Sequence, residues 1–512
     1  MCGRPWQERA AVALAGAVLL ASVAAPLVVL AADGVHADAR AMLTAASTWS
    51  LLAWSSALAA LVTAVALTVG VPLGVLLGRT DIVARRAAFL AHAFPMFLPP
   101  LLLALGWFHL FGQSGLVGSD ATARILFGPA GVVGVLGLAF APIMTALTML
   151  GLDAIDPSLI EAARLLARPP RITARILVPI AWPAIALGAL VVFSLAFSEL
   201  GVPMFLRVRA YPAAVFARLG GVDYAPGEAF VLVLPQLAIG AALLCIERRA
   251  IGRRPLTVLG LRRDRLVFAL GAWRPIATAA CWAIALLGLA PIAALASRAS
   301  WRELGSWLGA SARNGLIDGA VAATAVTAVG LVIGRGVARA QAPARALDAL
   351  AVLAFVTPGA VLGAGLIAVW NRPATQLVYG TSAIVVLGYV ARYAVLGTRP
   401  IAIALARGAA SLEDAAATVG ARYLRRLVRI VVPSHARALA GTWLLAFVFC
   451  LRDLETAVLC YPPGGETLPV RIFALEANGR PAVVAGLAVL HALITAGVLA
   501  LGLALLRARR TW

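Results

Sequence analysis

Acidic residues inside apolar runs are the first candidates for chemistry in this sequence. Glu199 lies in FSELGVPMF, and Asp453 and Glu455 lie in LRDLETAVL. A carboxylate inside a membrane-spanning segment is costly, so it usually faces a solute pathway or a charged partner. We therefore predict that all three acids line a pathway, with Glu199 and Asp453 facing each other at an outer gate or a transient cation site. The alternatives are local pairing, for example of Asp453 with Arg452, and capping of a helix end.

Other polar residues in apolar runs are expected to be structural. Arg392 is predicted to pair with a carbonyl group or an acid inside the protein. His92, His109 and His491 show no metal-ligand spacing, so we expect no metal site. The five cysteines have no CxxC spacing, and no nucleophile–base pattern stands out. We therefore expect a protein that is not an enzyme and has no catalytic residue.

Two basic segments interrupt the apolar sequence and share one plan. The first, EAARLLARPPRITARILVP, spans 161–179, and the second, DAAATVGARYLRRLVRIVVP, spans 414–433. Each has an acid, two alanines, an Arg-rich run and a proline before an apolar run. The residues that define the plan are Glu161, Ala162, Ala163, Ala167 and Pro179 in the first segment, and Asp414, Ala415, Ala416, Gly420 and Pro433 in the second.

Each segment is predicted to form a helix, a turn and a second helix, and we call the two segments the first bracket and the second bracket. Asp156 or Ser158 suits the cap of the first helix, and Pro157 suits its first turn. Gly420 permits a sharp turn, whereas Ala167 stands at the same place in the first bracket. The alternative is an interfacial amphipathic helix on lipid headgroups, but that needs only a face pattern and not this residue order.

The composition identifies the surroundings of these residues as a membrane. The chain has 512 residues, of which 62% are hydrophobic and 13% charged, against about 45–50% and roughly 25% in soluble domains. All 43 basic residues are arginine. Without lysine the chain cannot hold a P-loop that binds ATP. Because most arginines lie in short loops between apolar runs, the net charge of +21 indicates membrane topology, and we expect no nucleic-acid partner.

Runs of 18 or more largely apolar residues predict an all-α integral membrane protein with about twelve transmembrane helices. The predicted limits are 10–32, 51–78, 88–111, 130–152, 179–205, 226–246, 275–297, 314–334, 347–370, 379–402, 433–460 and 481–506. On the side of the termini the loops and span ends hold 29 arginines, against 11 on the other side. The positive-inside rule therefore predicts that both termini and both brackets are cytoplasmic.

The sequence also predicts an internal duplication. The brackets, the acids Glu199 and Asp453, and the motifs PPLLLALG and PGAVLGAG recur at offsets of about 255 residues. Since each copy has six spans, the copies are parallel repeats. We predict two six-helix units, at 1–255 with the bracket 161–179 and at 256–512 with the bracket 414–433. The junction is expected in the long connection 247–265.

The doubled brackets resemble the EAA loops in the membrane subunits of binding-protein-dependent ABC importers, whose motif is E-A-A-x-x-x-G with a later I-x-L-P. The resemblance covers nearly the whole chain and implies a duplicated type I importer permease fold. It implies that each EAA loop docks on one of two cytosolic ATPase subunits, which bind ATP and magnesium, so this chain carries no cofactor. It also implies an external substrate-binding protein, a bacterial cytoplasmic membrane and no second permease chain.

The segment YPPGGETLPVRIFALEANG, at 461–479, resembles fused permeases for ferric iron, in a group that includes thiamine and phosphonate permeases. The resemblance points to ferric iron as substrate.

The brackets depart from the EAA motif at two positions: Ala167 replaces the motif glycine, and Asp414 replaces the motif glutamate. The two docking sites are therefore expected to be unequal. The alternative to an ATP-driven importer is a twelve-helix secondary transporter driven by an ion gradient.

Overall fold

The computed structural model describes residues 5–35, 39–220, 225–250, 267–406 and 410–508. Within these ranges the chain is helical, and the only β pairing is an isolated bridge between Thr80 and Phe268. This confirms the predicted all-α class. The predicted junction at 255/256 lies outside the described residues.

The helices before residue 251 are Pro5–Leu19, Ala25–Val35, Ala39–Thr44, Ala46–Arg79, Arg85–Ala93, Pro100–Phe111, Asp120–Leu126, Pro129–Asp153, Pro157–Leu166, Pro169–Ile172, Val178–Ser198, Gly201–Phe205, Tyr211–Gly220 and Pro226–Ala250. Those after residue 266 are Arg274–Arg298, Leu304–Leu308, Ser311–Ala338, Ala342–Val356, Gly359–Trp370, Gln376–Tyr379, Ala383–Ala406, Ala410–Thr418, Tyr423–Arg426, Val432–Ser434, Ala436–Leu451, Ala457–Cys460, Leu468–Asn478 and Pro481–Ala508. Short π-helical turns at Leu20–Ala24, Thr173–Leu177 and Leu427–Val431 join some of them, and 3₁₀ turns lie at Phe94–Phe97, Gly271–Trp273 and Pro373–Thr375.

The chain is a multi-pass membrane protein. Eight of the described helices are long and apolar enough to cross a membrane, and the number becomes eleven if each of three sharply bent helix pairs is one span. Each of the eleven falls on a predicted span. The remaining predicted span, 226–246, lies within the helix Pro226–Ala250, which is not among the eleven candidates counted over the described residues.

The span predicted at 179–205 has different limits, because the structure has one helix from Pro169 to Ser198. Pro179 therefore lies inside this helix and does not open it. A proline in a helix lacks an N–H group and clashes with a preceding carbonyl. The π turn Thr173–Leu177 directly before Val178 and Pro179 widens the helix there, which relieves that clash. The turn Leu427–Val431 stands before Pro433 in the same way.

Two spans are broken in the same way, at an extended residue that precedes a proline. Helices Arg85–Phe97 and Pro100–Phe111 meet at 104°, and Ala342–Val356 and Gly359–Trp370 meet at 112°. Leu98 and Thr357 are both extended at the break, with ψ of 153° and 132°. Each precedes a proline, which disfavours helical geometry in the residue before it.

The chain forms two compact units, and the smaller one comprises Ala46–Ala214 and Ala238–Ser300. Its helix Ala46–Arg79 packs along Pro129–Asp153. A Cβ atom at Gly74 would lie 2.7 Å from the Cβ atom of Thr148, so glycine permits the close approach of the two backbones. The later helix Arg274–Arg298 packs on Arg85–Ala93 and Pro100–Phe111.

The larger unit comprises Met1–Ala45, Val215–Leu237 and Trp301–Trp512. Its helix Ser311–Ala338 packs along Ala383–Ala406, and a Cβ atom at Gly334 would lie 2.7 Å from the carbonyl oxygen of Thr398. The N-terminal helix Ala25–Val35 packs on Gly359–Trp370. Each unit thus includes the first span of the other predicted half. The duplication itself, with six spans in each half, stays a prediction.

Candidate functional site

The first bracket begins with the helix Pro157–Leu166, which has the predicted cap. The Asp156 carboxylate accepts a hydrogen bond from the Ser158 N–H at 2.8 Å, and Pro157 occupies the first turn. The helix ends at Ala167, which is extended (φ −150°, ψ 157°), and the chain re-enters a helix at Pro169. The predicted helix–turn–helix arrangement is present. Alanine is tolerated at this turn because any residue can adopt an extended backbone conformation.

The inner face of the first bracket is apolar. Ile160 and Ala163 are buried in a cluster with Ile172 and Leu177, and Val75 packs against this cluster from the helix Ala46–Arg79. Of the other motif residues, Ala167 is half-buried and packs against the same cluster, whereas Glu161, Ala162 and Pro179 are exposed. The motif acid of this bracket therefore does not contribute to its packing.

Arg164 attaches the first bracket to the segment that follows residue 266. Its guanidinium donates to the Val267 carbonyl at 2.9 Å and lies 4.7 Å from the centre of the Phe268 ring. The Phe268 N–H in turn donates to the carbonyl of Arg79 at 2.8 Å. One arginine of the basic run thus has a structural role.

The second bracket turns through a glycine, as predicted. The helix Ala410–Thr418 is followed by Gly420, which has a φ of 82°. The Gly420 N–H donates to the Ala417 carbonyl at 3.1 Å, and the Ala421 N–H donates to the Ala416 carbonyl at 3.0 Å. These are the two hydrogen bonds of a Schellman motif, which satisfies carbonyl groups at a helix end. Asp414, Ala415, Gly420 and Pro433 are exposed, and Ala416 is half-buried.

Glu413 directly precedes the second bracket and is the buried centre of an ion-pair network. Its carboxylate accepts hydrogen bonds from Arg335 at 2.7 and 3.0 Å and from Arg339 at 3.1 Å, and Arg426 lies at 3.8 Å. Arg335 also binds the carboxylate of Glu8 at 2.7 Å, which joins the helix Pro5–Leu19 to this network. Buried charges are stable only when paired in this manner.

Two further contacts complete the network. The Arg335 guanidinium lies 4.9 Å from the centre of the Tyr423 ring, so it also contacts the second helix of the bracket. The exposed Asp414 carboxylate accepts a hydrogen bond from Arg339 at 2.7 Å. Sequence reasoning selected Asp414 and missed Glu413 and Arg335. Two features of the sequence could have indicated this ion pair: Arg335 lies near the end of an apolar run, and Glu413 and Asp414 are consecutive acids.

The brackets differ in how they attach to the neighbouring span. Ile160 and Glu413 each stand one residue before the motif acid, and both are buried. Val75 packs against the cluster that contains Ile160, and Arg335 pairs with Glu413; each of the two follows a glycine at a close helix crossing. At the position before the motif acid, the first bracket is therefore held by apolar packing and the second by ion pairs.

Both brackets present apolar side chains outward next to their turns. Leu165 and Leu166 are 87% and 88% exposed, and Val419 is 83% exposed. Leu424 is also exposed on the second bracket. Large apolar side chains exposed in a group mark an interaction surface more often than chance exposure does.

The predicted pathway acids of the larger unit have close partners. Asp453 is buried; it accepts hydrogen bonds from the Tyr393 hydroxyl at 2.5 Å and the Thr456 N–H at 2.9 Å, and the Nε atom of Arg392 lies 3.5 Å away. Glu455 pairs with Arg392 at 2.6 Å. The structure thus contains the alternatives of helix-end capping and local ion pairing, with Arg392 as a partner of both acids. The prediction that Arg392 pairs with an acid is confirmed.

Glu199 lies in the smaller unit, immediately after the helix that ends at Ser198. It is half-buried and lines a very small cavity with Ser55 and Pro203. Whether Glu199, Asp453 or Glu455 contacts a solute stays a prediction. Among the described residues, no group of three His, Cys, Asp or Glu side chains is placed to hold a metal ion.

The segment 461–479 forms a turn and the helix Leu468–Asn478. Asn314 donates to the carbonyl of Gly464 at 2.9 Å, and Arg471 pairs with Glu466 at 2.6 Å. These contacts join the turn to the helix Ser311–Ala338 and to the helix Leu468–Asn478.

The chain is similar to several named transport proteins. It is 25% identical over 420 residues to a protein of Haemophilus influenzae named as a ferric transport system permease, and 25% identical over 416 residues to one of Actinobacillus pleuropneumoniae. Each alignment covers 74% of this chain, which spans 65% and 60% of the length of these relatives. No family model matches the chain.

A third relative, from Haloferax volcanii, is named as a molybdenum ABC transporter permease. It is 30% identical over 203 residues, which are 38% of this chain and 73% of that protein. The protein therefore belongs to the permease subunits of ABC transporters. The membership agrees with the helical membrane fold and the two brackets.

Proposed function

We propose that this chain is the transmembrane permease of an ATP-driven importer, in which the two brackets dock two copies of a cytosolic ABC ATPase. The observation that carries the proposal is the pair of brackets, each with exposed leucine or valine side chains at its turn. Closure of the ATPases on ATP and magnesium would move the brackets and the spans attached to them. An external binding protein delivers the substrate, the membrane is the bacterial cytoplasmic membrane, and both termini are cytoplasmic.

Charge substitutions at the bracket turns test the docking. Leu165→Asp with Leu166→Asp in the first bracket, and Val419→Asp in the second, should each lower ATPase co-purification and ATP-driven uptake. A buried interface anchor is worth at least about 1–2 kcal/mol, so we expect about a tenfold loss. Leu377→Asp is the matched control, because Leu377 is also 87% exposed and lies on the side that the arginine count predicts to be external.

Full uptake and full ATPase co-purification in both bracket variants would contradict the proposal. The alternative of a secondary transporter is tested separately in vesicles that contain the complete complex. Uptake should cease when the P-loop lysine of the ATPase is replaced, and it should survive collapse of the ion gradients. Uptake driven by an ion gradient alone would favour the secondary transporter.

We propose ferric iron as the substrate. Two relatives that align over 74% of the chain are named for ferric transport, and the segment 461–479 carries the sequence resemblance to such permeases. Competition among ferric iron, thiamine, phosphonate and molybdate in the uptake assay tests the assignment. Uptake of another solute with no ferric uptake would replace iron without affecting the ATP-driven mechanism.

We further propose that one chain serves both ATPase subunits, because it carries two brackets. The mass of the purified complex should correspond to one permease chain and two ATPase subunits. Two copies of this chain for each ATPase pair would contradict the proposal.

A further inference from the structure

An apolar cavity of about 310 Å³ lies in the smaller unit. Its walls are side chains of Pro100–Phe111, Asp120–Leu126 and Pro129–Asp153, among them Trp107, Phe111, Ile125 and Leu138. The volume reaches the lower end of the range for small-molecule sites, about 300–1,000 Å³. Of the lining residues, only Thr122 and Trp107 have a polar atom in the side chain. Such a wall suits a hydrocarbon ligand.

The surroundings of the cavity indicate where that ligand comes from. The cavity lies between helices of two candidate membrane spans, Pro100–Phe111 and Pro129–Asp153. We therefore expect lipid hydrocarbon around these helices. The short helix between them exposes Ile125, and the loop before it exposes Leu116 and Val117. Apolar side chains exposed at the end of a span insert among lipid chains.

Positive charge lies at the same end of these spans. Arg124 is exposed on the helix that carries Ile125, and its Nε atom donates to the Asp120 carbonyl at 3.1 Å. Arg298 is also exposed, and its guanidinium donates to the Ser114 carbonyl at 3.0 Å. Arginine beside an apolar cavity complements a phosphate headgroup with an attached acyl chain.

Gly134 keeps the cavity open. A Cβ atom at this lining glycine would meet no atom within 4 Å. In the predicted repeat Gly134 corresponds to Ile384, since these residues stand at equal distances before Thr148 and Thr398, which lie at the matching glycine crossings. Ile384 is completely buried. The first half thus has a space where the second half has a side chain.

We propose that this cavity binds one acyl chain of an anionic phospholipid whose phosphate is held at Arg124. The site is distinct from the brackets and from the acids predicted to line the pathway. It assigns a lipid-binding role to the segment between Phe111 and Pro129, which the transport proposal leaves without one.

Trp107 provides a direct probe, because it lines the cavity. The full chain is reconstituted in vesicles of phosphatidylglycerol and phosphatidylcholine, one of which carries bromine on its acyl chains to quench tryptophan fluorescence. The chain has 12 tryptophans, so the difference between wild type and Trp107→Phe isolates the Trp107 signal. Brominated phosphatidylglycerol should quench this signal more strongly than brominated phosphatidylcholine does, and Arg124→Gln should abolish the difference.

Filling the cavity should exclude the lipid chain. In a Gly134→Ile background we expect the apparent affinity for brominated phosphatidylglycerol at Trp107 to fall about tenfold, because the filled cavity must be overpacked to admit it. Gly134→Ala should give an intermediate loss and keeps the test valid if the larger variant fails to fold. Gly497→Ile is the control, since Gly497 is another helical glycine with open space around its Cβ position. Equal quenching of Trp107 in all Gly134 variants, or no quenching in wild type, would overturn the proposal.

Discussion

Glu413 is buried among three arginines, whereas Ile160, at the same place in the first bracket, is buried among aliphatic side chains. A buried ion pair gains Coulomb energy but loses hydration, so its replacement by apolar residues is often neutral. Removal of one partner leaves an uncompensated charge and costs about 3–5 kcal/mol. The two brackets therefore offer a direct comparison of two ways to hold one element.

Glu413→Gln should destabilise the protein strongly, because Arg335 loses its buried partner. The double variant Glu413→Ile with Arg335→Val introduces the residue types of Ile160 and Val75, which belong to the apolar cluster of the first bracket, and should recover most of the lost stability. Thermal unfolding of the purified chain in detergent measures both effects. Asp414→Asn is the control; its pair with Arg339 is largely exposed, so solvent screening limits its effect to under about 1 kcal/mol.

A double variant no more stable than Glu413→Gln would show that the ion pairs have a role that apolar packing cannot replace. Glu8 remains in that variant, but it is partly exposed and keeps its hydrogen bond from Gln341 at 2.7 Å. Its loss of Arg335 should therefore contribute little.

The sequence motif located both brackets but selected the exposed acid of the second one. Consecutive residues on an α-helix are rotated by about 100°, so Glu413 and Asp414 cannot share one environment. Which of the two faces inward depends on where Arg335 lies, and Arg335 is far away in the sequence. The motif therefore predicted the element, whereas the buried charge required the tertiary structure.

At the scale of elements, the two turns use different backbone geometry. Gly420 has a φ of 82°, so Gly420→Ala should cost about 1–2 kcal/mol. Ala167 is extended, so Ala167→Gly should lower stability by at most about 1 kcal/mol, through greater freedom of the unfolded chain. Thermal unfolding together with ATP-driven uptake checks both; a larger loss from Ala167→Gly than from Gly420→Ala would contradict the assignment of the turns.

The polar contacts near the end of Ala436–Leu451 allow a second element-scale prediction. Asp453→Asn should lower the unfolding temperature, because Arg392 and Tyr393 both bind this carboxylate. Glu199→Gln should reduce uptake more than stability if Glu199 lines the solute pathway. Unfolding and uptake measured on both single variants and on the double variant separate the two roles. Full uptake in the double variant would show that the solute pathway needs neither acid.

Helix positions were predictable from apolar run length, but several helix ends were not. The bends at Leu98 and Thr357 and the π turns before Pro179 and Pro433 depend on how each proline is accommodated. A proline can begin a helix, break it or lie within it after a local widening, and packing decides among these outcomes. The hydropathy pattern alone carries no information on that choice.

At the scale of the whole molecule, the compact units do not follow the chain order. The N-terminal helix Ala25–Val35 packs in the larger unit on Gly359–Trp370, and Arg274–Arg298 packs in the smaller unit on Pro100–Phe111. Each predicted half thus contributes a span to the unit formed mainly by the other. A sequence repeat predicts which segments correspond to each other but not which copy each segment packs against.

This exchange of spans predicts that the chain can be divided without separating its halves. Residues 1–255 and 256–512, co-expressed as two chains, should co-purify in detergent, because each half has a helix packed within the unit of the other. Removal of residues 1–45 from the first chain and of 267–300 from the second should weaken the association, since these are two of the three exchanged segments; the third, Val215–Leu237, remains in the first chain. Pull-down through a tag on either half measures the association. Equal recovery of the partner with and without these segments would contradict the exchange.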